Sequence, residues 1–445
     1  MRTTGRIKRW LAEHGSAAEV ELPQWRRRLA MLLGALLVGL FALTFAWLSN
    51  ETQRLFELFD RRFPYWALVV SPLMLTLFVW LTRKISPGTR GSGIPQVIAA
   101  SRDPDGAAAS GLLSWRAALA KPVLTIGGLL GGASVGREGP TVQVAAAVMV
   151  QVHRLLKVPI SAGVLIAGGA AGVAGAFNTP LAGIAFAIEE LAAAYEQRVA
   201  VLAMAAVMIA GLTSQGLAGD YLYFGQVGHT LPVLTVIVAA PLAGVVGGVA
   251  GGLFSRALIE LRAPGGRFST LLAARPLTTT LVCGAIVGVL GVATAGATWG
   301  TGYAPTRALL EGARGGYWFG PAKFLATLVT SASGIPGGIF APSLAVGAGV
   351  GELLTPLFAA QNAGGIVLLG MAGYFTGVVR APLTAVIILA ETTGSSGTIV
   401  GLFATALIAD WAGSWVCKER LYHVLAGDFM PAKVVERERD AHRYD

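Results

Sequence analysis

The chain has 445 residues, of which 54% are hydrophobic and only 13% carry a charge. Soluble domains contain about 45–50% apolar and about 25% charged residues, so this chain has too little polar surface to coat a soluble particle. The composition excludes a disordered chain, a collagen and a disulfide scaffold, and it predicts an α-helical protein that crosses the membrane several times.

The charge distribution argues against a nucleic-acid partner. The net charge is +10, but the basic residues flank apolar segments instead of gathering on one hydrophilic module. This is the positive-inside pattern, in which Lys and Arg mark the cytoplasmic loops of membrane proteins. Cys283 and Cys417 lie in or beside apolar stretches, and the five histidines are scattered without ligand spacing. We therefore expect no disulfide, no metal and no cofactor.

The N-terminal part predicts two membrane spans joined by an outer loop. Residues 1–28 are polar and end in three arginines, which indicates a cytoplasmic N-terminal segment. Residues 29–48 are apolar, long enough to cross a bilayer and too long for the core of a signal peptide. Residues 49–65 mix both charges, as in an outer loop. The chain returns through 66–81, and the basic residues within 83–90 place the next loop in the cytoplasm.

Further apolar blocks follow, and several are too short to cross the membrane alone or are interrupted by Gly-Gly or Pro. Short, broken segments inside a bundle are typical of transport sites built from half-helices. The blocks cover about residues 117–135, 141–156, 160–175, 180–195, 199–217, 232–260, 276–297, 317–333, 340–358, 363–379, 382–392 and 397–416.

A shift of the sequence by 202 residues aligns distinctive positions and predicts two homologous halves. The rarest matches are Lys121 with Lys323, Pro140 with Pro342, Pro180 with Pro382 and Glu189 with Glu391. The connection 217–230 carries no Lys or Arg and is expected outside, whereas the arginines within 256–275 mark an inner loop. The halves then start on opposite sides of the membrane, as an inverted repeat whose site lies at their interface.

The predicted fold is an all-α polytopic membrane protein with two inverted-topology repeats of tilted, broken helices. Its parts are a cytoplasmic N-terminal segment, a first membrane repeat, a second membrane repeat, and a C-terminal cytoplasmic helix with its tail. They cover residues 1–28, 29–220, 221–416 and 417–445.

Three glycine-rich segments that each lead into an apolar helix predict an anion site. They read GSGIP at 91–95, GREGP at 136–140 and GGIFAP at 337–342. Proline in a first helical turn loses no hydrogen bond, and glycine lets the backbone approach a ligand closely. Each segment presents free N–H groups and the positive end of a helix dipole, which attract anions. A single segment is explained by helix breaking alone, but three of them indicate that the helix ends converge on an anion.

Glu138 lies between the glycines of the second segment, and a carboxylate inside a membrane is unfavourable and usually functional. An ionised Glu138 resembles a bound anion and can occupy the anion site itself, whereas protonation removes that competition. It is therefore a candidate for both gate and proton carrier. The alternative is a fixed ion pair with Arg137, but adjacent side chains on a helix do not face each other.

Four other charged residues in apolar surroundings have open roles. Glu189 and Glu190 end one apolar run, and Glu189 is the better candidate for a solvated helix-end charge. Glu190 either takes up protons from the cytoplasm or is itself such a charge. Lys121 and Lys323 either contribute a positive field to the anion path or extend their ammonium groups to an interface.

The ordered motifs resemble those of the CLC family of chloride channels and chloride/proton exchangers. The resemblance covers about residues 29–425. It rests on GSGIP at 91–95, GREGPTVQ at 136–143, AFNTPLAGIAFAIEE at 176–190, GGIFAP at 337–342 and RAPLT at 380–384. It implies a homodimer with one pathway per subunit, for which segments 180–217 and 382–416 would supply the interface.

The resemblance also implies the roles of individual residues. Glu138 matches the external gating glutamate, and Glu190 matches the internal glutamate of exchangers, where channels usually have an apolar residue. The implied anion-binding residues are Ser92, Gly93, Gly139, Ile339, Phe340 and Tyr422. Serine in GSGIP resembles chloride-type members, because nitrate-preferring members have proline there and fluoride exporters differ in this motif.

Two features depart from the family pattern. Bacterial exchangers often continue GSGIP with acidic residues, whereas this chain has Gln96-Val97-Ile98, so an acidic partner for Lys121 is expected to be missing. The sequence ends at Asp445, and we expect the prokaryotic type without paired cytoplasmic regulatory domains.

The expected function is chloride/proton antiport by a multi-pass protein of a bacterial inner or plasma membrane. Its partners would be chloride and similar monovalent anions, protons, the lipid bilayer and a second copy of the chain. The alternative is a passive chloride channel gated by voltage or pH. An enzyme is not expected, since no paired nucleophile and base stand out.

Overall fold

The computed structural model describes residues 24–430, except for 64, 105, 107–110, 192–196, 220–221, 226–230, 263–268 and 271–273. Residues 1–23 of the predicted N-terminal segment and residues 431–445 of the predicted tail therefore lie outside the described residues. The same holds for most of the predicted outer connection 217–230 and for part of the inner loop within 256–275.

The first half contains eight α-helices and one π-helical turn, Ala187–Leu191, among the described residues. The helices are α1 (Gln24–Arg62), α2 (Ala67–Ile85), α3 (Ile94–Arg102), α4 (Trp115–Leu130), α5 (Glu138–Leu155), α6 (Ala162–Phe177), α7 (Pro180–Phe186) and α8 (Gln197–Ala218).

The second half contains nine α-helices in the part of the chain that the structure describes. They are α9 (Val233–Arg262), α10 (Pro276–Ala293), α11 (Tyr303–Leu310), α12 (Phe319–Ser333), α13 (Phe340–Leu354), α14 (Ala363–Val379), α15 (Pro382–Thr393), α16 (Ile399–Val416) and α17 (Leu421–Gly427). Within the described residues, eight helical segments are long and apolar enough to cross a membrane. The all-α polytopic fold is therefore confirmed.

Most helices coincide with the predicted apolar blocks to within a few residues, with two corrections. The predicted outer loop 49–65 is wrong over most of its length, because α1 continues to Arg62. Charged residues can extend the helix there because they face outward: Arg54 pairs with Glu51 at 2.7 Å, while Phe56 is buried on the other face. The second correction is α11, which no predicted block covered.

Small residues let the longest helices pack in close contact. A Cβ added to Gly247 of α9 would lie 2.6 Å from the backbone of Gly373 in α14. On another face of α9, a Cβ on Gly248 would lie 2.5 Å from the carbonyl oxygen of Ala409 in α16. Helices in a membrane associate by such close packing, because the lipid provides no hydrophobic drive between them. The many glycines therefore allow the helices of the bundle to pack in direct backbone contact.

The two halves have matching backbones at positions 202 residues apart. Asn178 ends α6 with φ 58° and ψ 38°, and Arg380 ends α14 with φ 63° and ψ 37°. Gly136 and Gly338 pair as an antiparallel bridge, and the N–H of each donates to the other's carbonyl at 2.7 Å. A reciprocal pair of this kind forms where two equivalent segments meet in opposite directions, as the predicted inverted repeat requires.

Glu189 and Glu391 cap helices of opposite halves. Glu189 accepts hydrogen bonds from the backbone N–H groups of Leu383 and Thr384, at 2.9 and 2.6 Å. Glu391 accepts from those of Leu181 and Ala182, at 3.1 and 2.8 Å. Carboxylates are favourable at helix N-termini, where backbone donors are unpaired. Glu189, predicted as a solvated helix-end charge, is partly exposed and also joins the first half to the start of α15.

Candidate functional site

The three glycine-rich segments meet at the centre of the bundle. Gly337 donates its N–H to the carbonyl of Gly91 at 3.0 Å, which joins the third segment to the first. The second and third segments are joined by the bridge between Gly136 and Gly338. The predicted convergence of the three helix ends is therefore observed.

Glycine is required at this junction because the segments touch. Gly93 has φ +118°, and a Cβ there would lie 2.4 Å from the carbonyl oxygen of Gly139. A Cβ on Gly139 would in turn lie 2.3 Å from the Ser92 hydroxyl oxygen. Two of the predicted anion-binding glycines are thus sites where a side chain would separate Ser92 from the start of α5.

The N-termini at the junction keep their backbone donors available. α3, α5 and α13 begin after Gly93, Arg137 and Ile339, and none of these residues caps its helix with a side-chain hydrogen bond. The first N–H groups of a helix have no partner within it, and they carry the positive end of its dipole. Three sets of such donors therefore face one small region.

A cavity of about 20 Å³ lies in this region and is lined by Ser92, Ile339 and Tyr422, among others. Tyr422 is fully buried at the start of α17, and its hydroxyl faces Ser92. Neither hydroxyl oxygen has a hydrogen-bond partner within the described residues. Buried hydroxyls are normally satisfied, so this pair is suited to an additional ligand.

Phe340 forms the apolar wall beside this cavity. Its ring centroid lies 5.9 Å from that of Tyr422 and 4.9 Å from that of Phe375. The repeat aligns Phe340 with Glu138, so only the first half supplies a carboxylate at this helix start. All six predicted anion-binding residues are therefore at the junction, although only Ser92, Ile339 and Tyr422 line the cavity.

Glu138 is fully buried at the start of α5 and does not pair with Arg137. The Arg137 guanidinium instead donates to the carbonyl of Ala46 at 2.6 Å and to the Asn50 side chain at 2.9 Å. One Glu138 carboxylate oxygen accepts a hydrogen bond from the Tyr303 hydroxyl, and the other has no partner among the described residues. The described hydrogen bond of Glu138 thus comes from a neutral hydroxyl, which the carboxylate can leave more easily than a charged partner.

Tyr303 belongs to a segment that the sequence comparison missed. Gly300-Thr301-Gly302 repeats the pattern of Gly91-Ser92-Gly93 at a shift of 209 residues. The backbones agree, because Gly91 and Gly300 have φ +68° and +60°, and Gly93 and Gly302 have φ +118° and +82°. The guanidinium of Arg137 stacks over the Tyr303 ring at 5.7 Å. A search for a second Gly-Ser/Thr-Gly would have found this segment.

Glu190 is fully buried on the π-helical turn that follows α7. Neither of its carboxylate oxygens has a hydrogen-bond partner in the described part of the chain, and the Nε2 atom of His423 lies 3.8 Å from one of them. The Tyr422 hydroxyl lies within electrostatic reach of both Glu138 and Glu190. Glu190 is therefore a second buried carboxylate, and it lies beside the helix that carries Tyr422.

Lys121 and Lys323 are fully buried, so neither ammonium group reaches an interface. Lys121 donates to the carbonyls of Thr89 and Gly91 at 2.8 and 2.6 Å. Lys323 donates to those of Thr298 and Gly300 at 2.9 and 2.8 Å. The two lysines thus anchor the two equivalent loops.

Neither lysine has a hydrogen bond or salt bridge to an acidic group that the structure describes. Gln96, where the resemblance led us to expect an acid, instead donates to the carbonyls of Gly88 and Arg90 at 3.1 and 2.7 Å. Among the described residues, the Nζ atoms of both lysines are therefore bound by backbone carbonyls alone.

A larger basic cavity of about 880 Å³ adjoins the small one. Arg90 and Arg262 line both cavities, and Arg83 lines the larger one. Asp428 lies 3.6 Å from the Arg90 guanidinium and is an acidic group in the same lining. A cleft with an excess of one charge raises the local concentration of the opposite ion. Arg83 and Arg90 belong to the loop that the sequence predicts to be cytoplasmic, so this cleft lies on the side of that loop.

Comparisons with known proteins agree with this geometry. The sequence profile described as voltage gated chloride channel matches residues 73–414. A slow cyanobacterial Cl⁻/H⁺ antiporter has a similar crystal structure, with TM-score 0.77 and 23% identity over 92% of this chain and 98% of its own. A CLC-type fluoride/proton antiporter matches with TM-score 0.75 and 22% identity over 91% and 99%. A eukaryotic CLC transporter matches with TM-score 0.71 and 22% identity over 90% and 74%.

Proposed function

Because the chain belongs to the voltage-gated chloride channel (CLC) family of membrane anion transporters and not to a family of enzymes, we propose that it exchanges chloride for protons. The proposal specifies the anion, the coupling and the residues. The observation that carries it is the presence of two fully buried carboxylates: Glu138 at the junction of the three glycine-rich segments, and Glu190, whose oxygens have no hydrogen-bond partner among the described residues.

The cavity supports a small monovalent anion as the substrate. Its donors are the hydroxyls of Ser92 and Tyr422 and the backbone N–H groups at the starts of α3, α5 and α13. We assign the anion contacts to Ser92, Gly93, Gly139, Ile339, Phe340 and Tyr422. Arg90 and Arg262 also line the cavity, so guanidinium groups add to the positive potential of these partial charges. The hydroxyl pair suits a halide, and the serine of GSGIP, which resembles that of chloride-type members, favours chloride as the main substrate.

Glu138 is proposed as the group that exchanges places with the anion and carries the proton on the outer side. An ionised carboxylate is itself an anion that the same N–H groups can bind, whereas a protonated one competes poorly. Its only described partner is the neutral Tyr303 hydroxyl, and Arg137 is turned away from it. No described ion pair therefore holds Glu138, and its movement into the cavity is compatible with these contacts.

Glu190 is proposed as the proton-exchanging group on the cytoplasmic side. It is buried without a hydrogen-bond partner in the described residues, beside His423 of α17. An unpaired buried carboxylate is a poor structural element, because its desolvation is not offset by hydrogen bonds. Proton transfer supplies a reason for its presence.

The working unit is proposed to be a homodimer in a bacterial inner membrane. Segments 180–217 and 382–416 present large exposed apolar side chains, such as Leu181, Leu212 and Leu407, which suit either lipid or a second copy. The two repeats, 29–220 and 221–416, would form one pathway in each subunit. The molar mass of the purified protein in detergent, measured by light scattering, tests the dimer.

The function is tested with purified protein in liposomes. An outward chloride gradient is imposed without a proton gradient, and chloride and proton movements are recorded together. The proposal expects protons to be driven inward as chloride leaves. Chloride movement without proton pumping would instead establish the passive channel. Replacing chloride with fluoride in a parallel experiment tests the choice of anion.

A further inference from the structure

Glu190 is sealed from solvent, so any proton that reaches it must pass through another group. Its side chain is fully buried, and its two carboxylate oxygens have no hydrogen-bond partner among the described residues. Proton transfer requires a donor within hydrogen-bond reach or one water away. The groups between Glu190 and the cytoplasm therefore decide how it is protonated.

His423 lies between Glu190 and the cytoplasmic surface. Its Nε2 atom is buried and 3.8 Å from the nearer carboxylate oxygen of Glu190, and it has no hydrogen-bond partner within the described chain. The imidazole as a whole is 27% exposed, whereas the carboxylate is 0% exposed. The imidazole of His423 thus lies between the solvent and the buried Glu190 carboxylate. A small side-chain movement would bring Nε2 within hydrogen-bond distance of the carboxylate oxygen.

Arg102, at the end of α3, determines which ring nitrogen carries the proton. Its guanidinium lies 2.9 Å from Nδ1 of His423. Arginine has only donors, so Nδ1 must accept, and the proton of the neutral ring is on Nε2. The N–H of His423 is therefore directed at Glu190.

The charged groups around the imidazole come from three elements: Arg102 on α3, Arg420 before α17, and Glu190 on the π-helical turn. Burial, followed by the positive charges of Arg102 and Arg420, lowers the pKa of His423 to about 4. The ring is therefore neutral at pH 7, and its protonated form gives up a proton readily.

We propose that His423 transfers protons between the cytoplasm and Glu190, with Arg102 as the residue that orients it. The inference rests on the proposed antiport. Arg102 releases Nδ1, which takes a proton from cytoplasmic water and forms an imidazolium. The imidazolium gives its Nε2 proton to the Glu190 carboxylate, which becomes a neutral acid. The ring keeps the Nδ1 proton and then rotates so that Nε2 reaches cytoplasmic water, where Nε2 takes up a proton while Nδ1 releases one. Turning back restores the first tautomer, with its N–H directed at Glu190.

The test replaces His423 with glutamine, which keeps a hydrogen-bond donor but does not form a cation. Chloride and proton fluxes of wild-type and His423→Gln proteins are measured together in liposomes. Proton flux is expected to fall at least about tenfold more than chloride flux, since a positioned acid or base contributes about 10²–10⁴ to such a transfer. In His423→Ala protein, added imidazole is expected to restore proton flux.

Measurements in wild-type and Glu138→Ala proteins distinguish failure of this inference from failure of the proposed function and from misfolding. In Glu138→Ala protein, where chloride no longer depends on protons, His423→Gln is expected to leave chloride flux unchanged. A loss of chloride flux in that background would assign His423 a structural role and overturn the inference. An unchanged proton-to-chloride ratio in His423→Gln would also overturn it while leaving antiport intact. Absence of proton movement in wild-type protein would overturn the antiport proposal itself.

Discussion

Gly136 and Gly338 lie 202 residues apart and exchange two backbone hydrogen bonds of 2.7 Å. They are equivalent positions of the two repeats, so the contact lies where the inverted halves meet. One of the two helix starts that follow carries Glu138, and the other carries Phe340. The symmetry thus brings backbone N–H donors from both halves to one place. Only the first half adds an ionisable side chain, Glu138, because its equivalent in the second half is Phe340.

Removing the Glu138 carboxylate should uncouple the transporter. In Glu138→Ala protein, chloride flux is expected to continue, while proton flux falls to the level of empty liposomes, because no group is left to carry the proton on the outer side. Simultaneous flux measurement checks this. Glu260→Gln, at an exposed ion pair with Arg256, is a control that should preserve coupling. Proton-driven chloride transport by the Glu138→Ala protein would refute the role of this residue.

Removing the Tyr303 hydroxyl should weaken chloride binding. Glu138 lies outside the Ser92–Tyr422 cavity, and the Tyr303 hydroxyl donates a hydrogen bond to its carboxylate. A hydrogen bond to a charged group is worth about 1.5–3 kcal/mol, so in Tyr303→Phe protein the carboxylate should compete for the cavity more strongly. Chloride affinity, measured by calorimetric titration, is expected to fall about tenfold or more.

Two variants provide controls for the Tyr303 prediction. Tyr317→Phe removes a hydroxyl from an exposed tyrosine and should leave chloride affinity unchanged. In Glu138→Ala protein the Tyr303→Phe substitution should have no further effect, since the competing carboxylate is absent. Equal weakening in both backgrounds would mean that Tyr303 acts on the anion and not through Glu138.

Removing the Lys121 ammonium should loosen the loop that carries Ser92. In Lys121→Met protein, the Thr89 carbonyl loses its described donor, and an unsatisfied group of this kind costs about 1–3 kcal/mol, whereas the Gly91 carbonyl keeps the Gly337 N–H. Lower thermal stability and weaker chloride binding are expected together, because Gly91 adjoins Ser92. Lys323→Met provides the comparison, since it should destabilise the loop before Tyr303 to a similar degree. Unchanged melting temperatures of both variants would exclude an anchoring role.

The reciprocal caps should contribute to stability and not to coupling. Glu189→Gln and Glu391→Gln each replace a charged cap with a neutral one, and losing a cap costs about 0.5–2 kcal/mol. Each variant is expected to unfold at a lower temperature than the exposed control Glu260→Gln, with the same proton-to-chloride ratio as wild type. A changed ratio in the Glu189 variant would place it in the proton path beside Glu190.

The sequence predicted the fold and the first half of the site because the signals there are local or strictly periodic. Apolar runs mark the helices, and the gap-free shift of 202 residues aligns the lysines, prolines and glutamates. Thr301 and Tyr303 escaped that comparison because the spacing changes before them. Lys121 follows Ser92 by 29 residues, whereas Lys323 follows Thr301 by 22.

The contacts of His423 and Arg137 could not be predicted from sequence. His423 meets Glu190 across 233 positions of the chain, and neither residue belongs to a shared local pattern. Arg137 donates to Asn50, which lies in the part of α1 that the charged residues of 49–62 led us to predict as a loop. Such contacts depend on how distant elements pack, which hydropathy and spacing do not encode.

The central claim is that backbone N–H groups and two hydroxyls form a pocket that a halide and the Glu138 carboxylate occupy in turn. The most direct test is an anomalous difference map of crystals grown in bromide, for wild-type and Glu138→Ala proteins. We predict a bromide peak between the hydroxyls of Ser92 and Tyr422 in both, with higher occupancy near the start of α5 when the carboxylate is absent. No peak at this pocket in either crystal, at a bromide concentration that supports transport, would contradict the account.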